Sequence, residues 1–281
     1  MQRTVWQTTV CEVGFSHEFL LHGILGIASL HLAHLRPSRK GFYIARGIMH
    51  HQLGLRIATS LLPDLNEENC TPLCVFSGFA IIFARASPRT PDDFLLVNDK
   101  GLTDWVILMR GMSSIVGSSQ SALWTGPLGI MFQSGHRRFQ LRSSEPFMLG
   151  SPHDDQVLLL QQRILDSCVD PERVDTYIGA LTNIRQSLTT LFAFAETYEG
   201  SDAFVWVIKT PETYFILLRK QDQPALCIFA FFCVILHHLS KTWWAHGWSI
   251  HLMKQIYRLV DEGHRLWIKW PIEQIGGLRV L

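Results

Sequence analysis

The sequence predicts an all-α fold, with about nine or ten helices around a buried central helix and an apolar cavity between them. Three observations carry that expectation. Apolar residues recur at helical rather than alternating intervals almost throughout. Hydrophobic residues make up 47% of the 281 residues and charged residues only 17%, too apolar for a disordered tail and enough for a sizeable core. The stretches 73–84 and 225–236 have no polar face, so the helices that carry them must be covered on all sides.

The elements follow in order. From His17 to Leu35 the residues Phe19, Leu20, Ile24, Ile27, Ala28, Leu30 and Leu32 mark one helix, with Ser16 as its N-cap and Pro37 as its stop. A second helix covers 42–62 and ends at Pro63. A third begins near Thr71-Pro72, where proline suits the first turn, and runs to Ala86. Pro88 and Pro91 place a loop over 87–93, and a helix follows over 102–116. The stretch 117–153, rich in Ser, Gly and Pro and carrying Arg137, Arg138 and Arg142, is expected as a long loop within a single domain spanning 1–281. Helices resume over 154–168. Asp170-Pro171-Glu172 reads as an N-cap, a first-turn proline and an acid at the positive helix end, opening a helix to Tyr198. Further helices are expected over 202–208, 211–220, 224–239 and 242–262. No alternating strand and no internal repeat is apparent.

Charge and composition exclude some functions. Lys+Arg is 25, Asp+Glu is 24 and the net charge is +1, which gives no global attraction for nucleic acid or anionic membrane. The longest apolar run, Ala225 to Leu236, is twelve residues between Pro224 and His237, against roughly 20 for a bilayer span. No membrane span is expected, and no secretory signal precedes Cys11. Four of the six cysteines (Cys74, Cys168, Cys227, Cys233) lie in or beside apolar runs. They read as buried thiols of a reducing, intracellular compartment, nuclear or cytoplasmic.

Few motifs carry chemistry. There is no nucleophile elbow, phosphate loop or dinucleotide fingerprint, and Gly23-x-x-Gly26 reads as close helix packing. His31 and His34, His50-His51 and His237-His238 would need further converging ligands to hold zinc; histidines satisfied by hydrogen bonds are the commoner case. Cys70-x-x-x-Cys74 does not have zinc-module spacing. Among the carboxylates, Asp92-Asp93 sits in the Pro91 loop, Asp154-Asp155 opens a helix, and Glu196, Glu199 and Asp202 are spaced three apart. Carboxylates on one helix face can hold Mg²⁺ for a diphosphate substrate; their bland roles are capping and solvation. Arg36, Arg39 and Lys40 suit a helix C-terminus.

Several stretches together resemble a known family. They are Phe19-Leu-Leu-His-Gly-Ile-Leu-Gly-Ile-Ala-Ser-Leu-His-Leu-Ala33, Asp104-Trp105-Val106 with Arg110-Gly111, Gln223-Pro-Ala-Leu226, Trp243-Trp244-x-x-Gly247-Trp248 and Trp267-Ile-Lys-Trp-Pro271. In this order they resemble the C-terminal regulatory domain of fungal zinc-cluster transcription factors of the sterol-uptake-control type. The resemblance implies an all-α domain that binds a hydrophobic ligand, a sterol or other lipid-like metabolite, with no cofactor. Phe76, Phe79, Phe83, Phe229, Phe232, Trp243, Trp244 and Trp248 are the expected core or pocket lining. The compact basic six-cysteine cluster of that family is absent from this sequence. The expected role is therefore regulation without direct nucleic-acid binding by this chain, as a homodimer or as a heterodimer with a DNA-binding regulator. The alternative is a Mg²⁺-dependent sesquiterpene cyclase in the same helical shell, its aromatic faces stabilising carbocations. That reading names Lys241 and His237 as catalytic, on one helix face if the helix runs unbroken, with Lys254 and Arg258 as further basic candidates. Its metal would be held by Asp92, Asp93, Glu196, Glu199 and Asp202.

Overall fold

Helical periodicity becomes helix along most of the chain: in a computed structural model, which describes residues 5–118, 120–144 and 152–277, ten α-helices run eight residues or more. Among the described residues the fold is all-α apart from one two-stranded ladder. The chain divides into two compact units, Met1–Arg89 with Asp104–Arg138, and Thr90–Thr103 with Phe139–Leu281.

In the first unit a π-helical turn (Val5–Thr9) leads into α1 (Val10–Ser16), α2 (Glu18–Leu35), α3 (Lys40–Leu61) and α4 (Cys70–Ala86). The N-cap of α2 is His17, in extended backbone, and not Ser16, which ends α1. Helices α2 and α3 approach closely because small residues face each other. A Cβ on Gly47 would lie 3.3 Å from the Gly26 carbonyl, and one on Gly54 would lie 2.7 Å from Phe76 and 2.9 Å from the Phe19 carbonyl. The expected packing role of Gly26 is thus borne out. Around this contact Phe19, Leu20, Leu73, Phe76 and Phe79 form a core, with Phe19 edge-on to Phe76 at 5.8 Å.

Next come α5 (Asp104–Ser118), α6 (Gln120–Thr125) and α7 (Gly129–Ser144). The stretch expected as a long loop over 117–153 is therefore mostly helical as far as Ser144, with a turn at 126–128, and residues 119 and 145–151 lie outside the described residues. Ser and Gly lower helix propensity, but Leu123 and Leu128 are wholly buried, and tertiary packing overrides propensity.

The second unit opens on a short ladder that the sequence did not signal. Strands β1 (Val97–Asn98) and β2 (Gly101–Leu102) pair antiparallel around a turn in which Asn98 Oδ1 accepts from the Lys100 amide at 2.9 Å. Then follow α8 (Pro152–Ser167) and α9 (Pro171–Ala193). Asp170 caps α9 as expected, its carboxylate accepting from Glu172 N at 3.1 Å; the helix ends at Ala193, short of Tyr198. Two short helices, α10 (Gly200–Ala203) and α11 (Val205–Lys209), break at Phe204, where one helix was expected. Helix α12 (Glu212–Arg219) precedes α13 (Gln223–His238), whose twelve residues Ala225–Leu236 are all buried. This is the expected central helix. It packs against α9, α12, α14 (Trp248–Leu259) and α16 (Lys269–Gln274), with α15 (Glu262–Arg265) between the last two. Helix α14 starts at Trp248 and not at 242, because Gly247 at φ +77° takes a left-handed turn at its N-cap.

Polar groups pin this apolar centre. Tyr214 donates to the Ala225 carbonyl at 2.9 Å and Trp206 Nε1 to the Ala180 carbonyl at 3.1 Å. Asp222 caps α13 through Ala225 N, accepts from Tyr177 at 2.6 Å and pairs with Arg173. Asp154, wholly buried, pairs with Arg185 through both guanidinium nitrogens facing it, Nη2–Oδ2 at 2.8 Å. Two helical stretches, Glu18–Leu35 and Gln223–Lys241, are long and apolar enough to cross a membrane by length and composition. That corrects the expectation that no segment reaches this length, since a helix tolerates the scattered His, Ser and Pro that interrupt a strictly apolar run. Of the window in Gln223–Lys241, 72% is buried inside the protein, as in a core helix.

Candidate functional site

The eight aromatic residues expected to line a pocket fall into two groups. Phe76, Phe79 and Phe83 lie on α4 in the first unit, buried in its core. His51 stacks on Phe83 at 4.0 Å and 9°, and burial lowers its pKa to about 4. The other five belong to the second unit. Phe229 and Phe232 are fully buried on α13 and stack nearly parallel at 5.9 Å. Trp206, which the sequence reading did not single out, lies flat on Phe232 at 4.6 Å. Trp248 is buried at the start of α14.

Trp243 and Trp244 differ from the rest. They are half-buried, in the turn between Lys241 and Trp248. A chain of contacts leads inward from this turn. The Trp244 ring would lie 3.0 Å from a Cβ at Gly200, the first residue of α10; Phe204, just after α10, meets Phe232 edge-on at 6.3 Å; Phe232 stacks on Trp206. Trp244 thus packs on the first residue of α10, and Phe204, which follows that helix, belongs to the aromatic interior.

The groups named for diphosphate chemistry are not gathered. Helix α13 ends at His238, and Lys241 sits exposed in the 3₁₀ turn Leu239–Lys241, so the unbroken helix assumed for His237 and Lys241 does not form. His237 Nδ1 is 3.2 Å from Ser249 Oγ, and burial together with the neighbouring His238 lowers its pKa. Glu199 and Asp202 form a capping box on α10, with Asp202 accepting from the Glu199 amide at 2.8 Å. Asp93 accepts from Leu95 N at 3.1 Å, Asp92 is exposed, and Glu196 lies in the turn Ala195–Thr197. Among the described residues no three His, Cys, Asp or Glu side chains converge as a metal would require. These five carboxylates therefore do not fit a Mg²⁺ site.

The other candidates have local roles. His50 Nδ1 is 2.9 Å from His22 Nδ1, between α3 and α2. His31 and His34 are exposed on α2. Burial raises the thiol pKa of Cys74 to about 12 and raises those of Cys227 and Cys233, which leaves them unreactive.

The first unit also has an open cleft of about 470 Å³. It is lined by three glutamates, Glu12, Glu67 and Glu68, and by Thr9, Ser16 and Thr71, from the start of the chain, the α3–α4 connection and α4. No sequence signal joins them, because three segments with no shared period meet only in the fold.

No protein family, curated protein or solved structure matches this chain.

Proposed function

We propose that this chain is a regulatory, ligand-responsive helical domain of the fungal zinc-cluster regulator type. It takes up a hydrophobic small molecule, a sterol or a similar lipid-like metabolite, and passes the signal to a partner. The single observation that supports this reading is the half-buried aromatic turn Trp243–Trp244, whose Trp244 packs on Gly200 of α10, the helix followed by Phe204 of the aromatic interior. Interior aromatic residues packed at 0% exposure are reached only by disturbing the core, whereas a half-buried turn can open at lower cost. A ligand that binds the opened arrangement better shifts the population toward it and alters the surface offered to a partner. The six cysteines of this sequence are dispersed and the described ones are free, four of them buried, so contact with DNA would come from another segment or another chain. The cyclase alternative has no gathered metal ligands to support it.

The test is a titration of the purified protein with ergosterol, read by tryptophan fluorescence and thermal melting. Saturable quenching and a melting temperature that rises with ligand are expected, both weakened about tenfold in Trp244→Ala. A parallel incubation with farnesyl diphosphate and Mg²⁺ should release no hydrocarbon. A metal-dependent product would replace this reading with the cyclase.

A further inference from the structure

The cleft of the first unit is built for a different kind of ligand. Glu12, Glu67 and Glu68 are exposed at its walls, no Lys or Arg lines it, and the one histidine of the lining, His17, has its Nδ1 3.0 Å from the Val13 carbonyl. Glu67 and Glu68 precede the N-terminus of α4, where the helix dipole favours acids. Glu12 lies in the first turn of α1, where the same dipole favours an acid, so the acids alone do not single out a ligand. Thr71 supplies an independent observation. It lines the cleft at 5% exposure, and its hydroxyl has no hydrogen-bond partner among the described residues. Its Oγ1 would lie 3.4 Å from a Cβ on Gly126, another residue of the cleft lining. A buried hydroxyl left open to a cavity is a polar group waiting for a partner. The volume, about 470 Å³, lies in the range of small-molecule sites, far larger than a bare ion needs. The three carboxylates do not converge as metal ligands would, so a point cation is not what they fit. Apolar surface from Val13 and Pro72 lies between the polar groups.

We propose that this cleft binds an aliphatic polyamine, its ammonium groups held by Glu12, Glu67 and Glu68, one N–H donating to Thr71 Oγ1, and its methylene chain lying on Val13 and Pro72. Spaced carboxylates match spaced ammonium groups, and a charge-assisted hydrogen bond to the Thr71 hydroxyl supplies orientation. The site is independent of the aromatic turn of the second unit.

The experiment is isothermal titration of the full chain with spermidine at low ionic strength, where exposed carboxylates are least screened. The variants are Glu67→Gln with Glu68→Gln, which alters only exposed side chains, and Thr71→Val, which keeps the shape and removes the hydroxyl. Circular dichroism establishes that each is folded. One saturable site is expected, weakened about tenfold in the double variant and several-fold in Thr71→Val, with equimolar Mg²⁺ leaving it in place. Absence of binding at millimolar spermidine, equal binding in both folded variants, or displacement by equimolar Mg²⁺ would each overturn the proposal.

Discussion

Gly54 sets how closely α3 can approach α2 and α4. A methyl group there would meet Phe76 at 2.7 Å and the Phe19 carbonyl at 2.9 Å. The ring can turn, but the carbonyl belongs to the helix. Gly54→Ala should cost about 2 kcal/mol or more through overpacking. Gly111→Ala, in α5 with nothing within 4 Å, should add about 0.5–1 kcal/mol through helix propensity. Urea midpoints of the two variants check both signs. His51 makes the first unit sensitive to acid. Its pKa is lowered from 6.5 to about 4, chiefly by burial and against the raising effect of Asp104. The unfolded chain then takes up a proton below pH 6.5 that the folded chain refuses until about pH 4. Stability present above pH 6.5 is progressively lost on the way down, by about 2 kcal/mol at pH 5. Melting curves at pH 7.5 and 5 should show this loss, and His51→Gln should remove the largest part of it. The glycine contact of α2 was legible in the pattern Gly23-x-x-Gly26. Stacking of His51 on Phe83 was not, because it joins helices that no local period relates.

At the scale of elements, periodicity located the long helices well. It failed where a short-range rule was overruled from a distance. Ser, Gly and Pro argued for a loop over 117–153, but Leu123 and Leu128 anchor helices through burial. Conversely, the expected helix over 242–262 starts late because one glycine, Gly247, adopts φ +77°. Asp154 shows the same limit for single groups. Its position at the start of α8 suggested capping, whereas its carboxylate is buried against Arg185 of α9. A carboxylate at 0% exposure with a bidentate partner leaves an uncompensated guanidinium when replaced. Asp154→Ala should therefore destabilise by about 3–5 kcal/mol, read by chemical unfolding. Loss of under about 1 kcal/mol would mean the pair is solvated.

For the whole molecule, the apolar excess of the sequence is spent mainly on filling the interior. Helix α13 is the central helix that its unbroken apolar run demanded, and the pocket residues expected beside it, Phe229 and Phe232, are stacked in solid aromatic packing. Sequence reading could place these residues inside but not distinguish a lined cavity from a filled one, since both need the same residue types. The fold fills that interior and leaves Trp243 and Trp244 half-buried in the turn after α13, a property that only three-dimensional packing sets. The ligand response proposed above rests on that turn, and hydrogen–deuterium exchange with and without ergosterol tests it most directly. The amides of Leu239–Trp248 and the adjoining α10 should exchange more slowly with sterol present, while α2 and α3 stay unchanged. Identical exchange throughout the chain, or protection confined to the first unit, would contradict it.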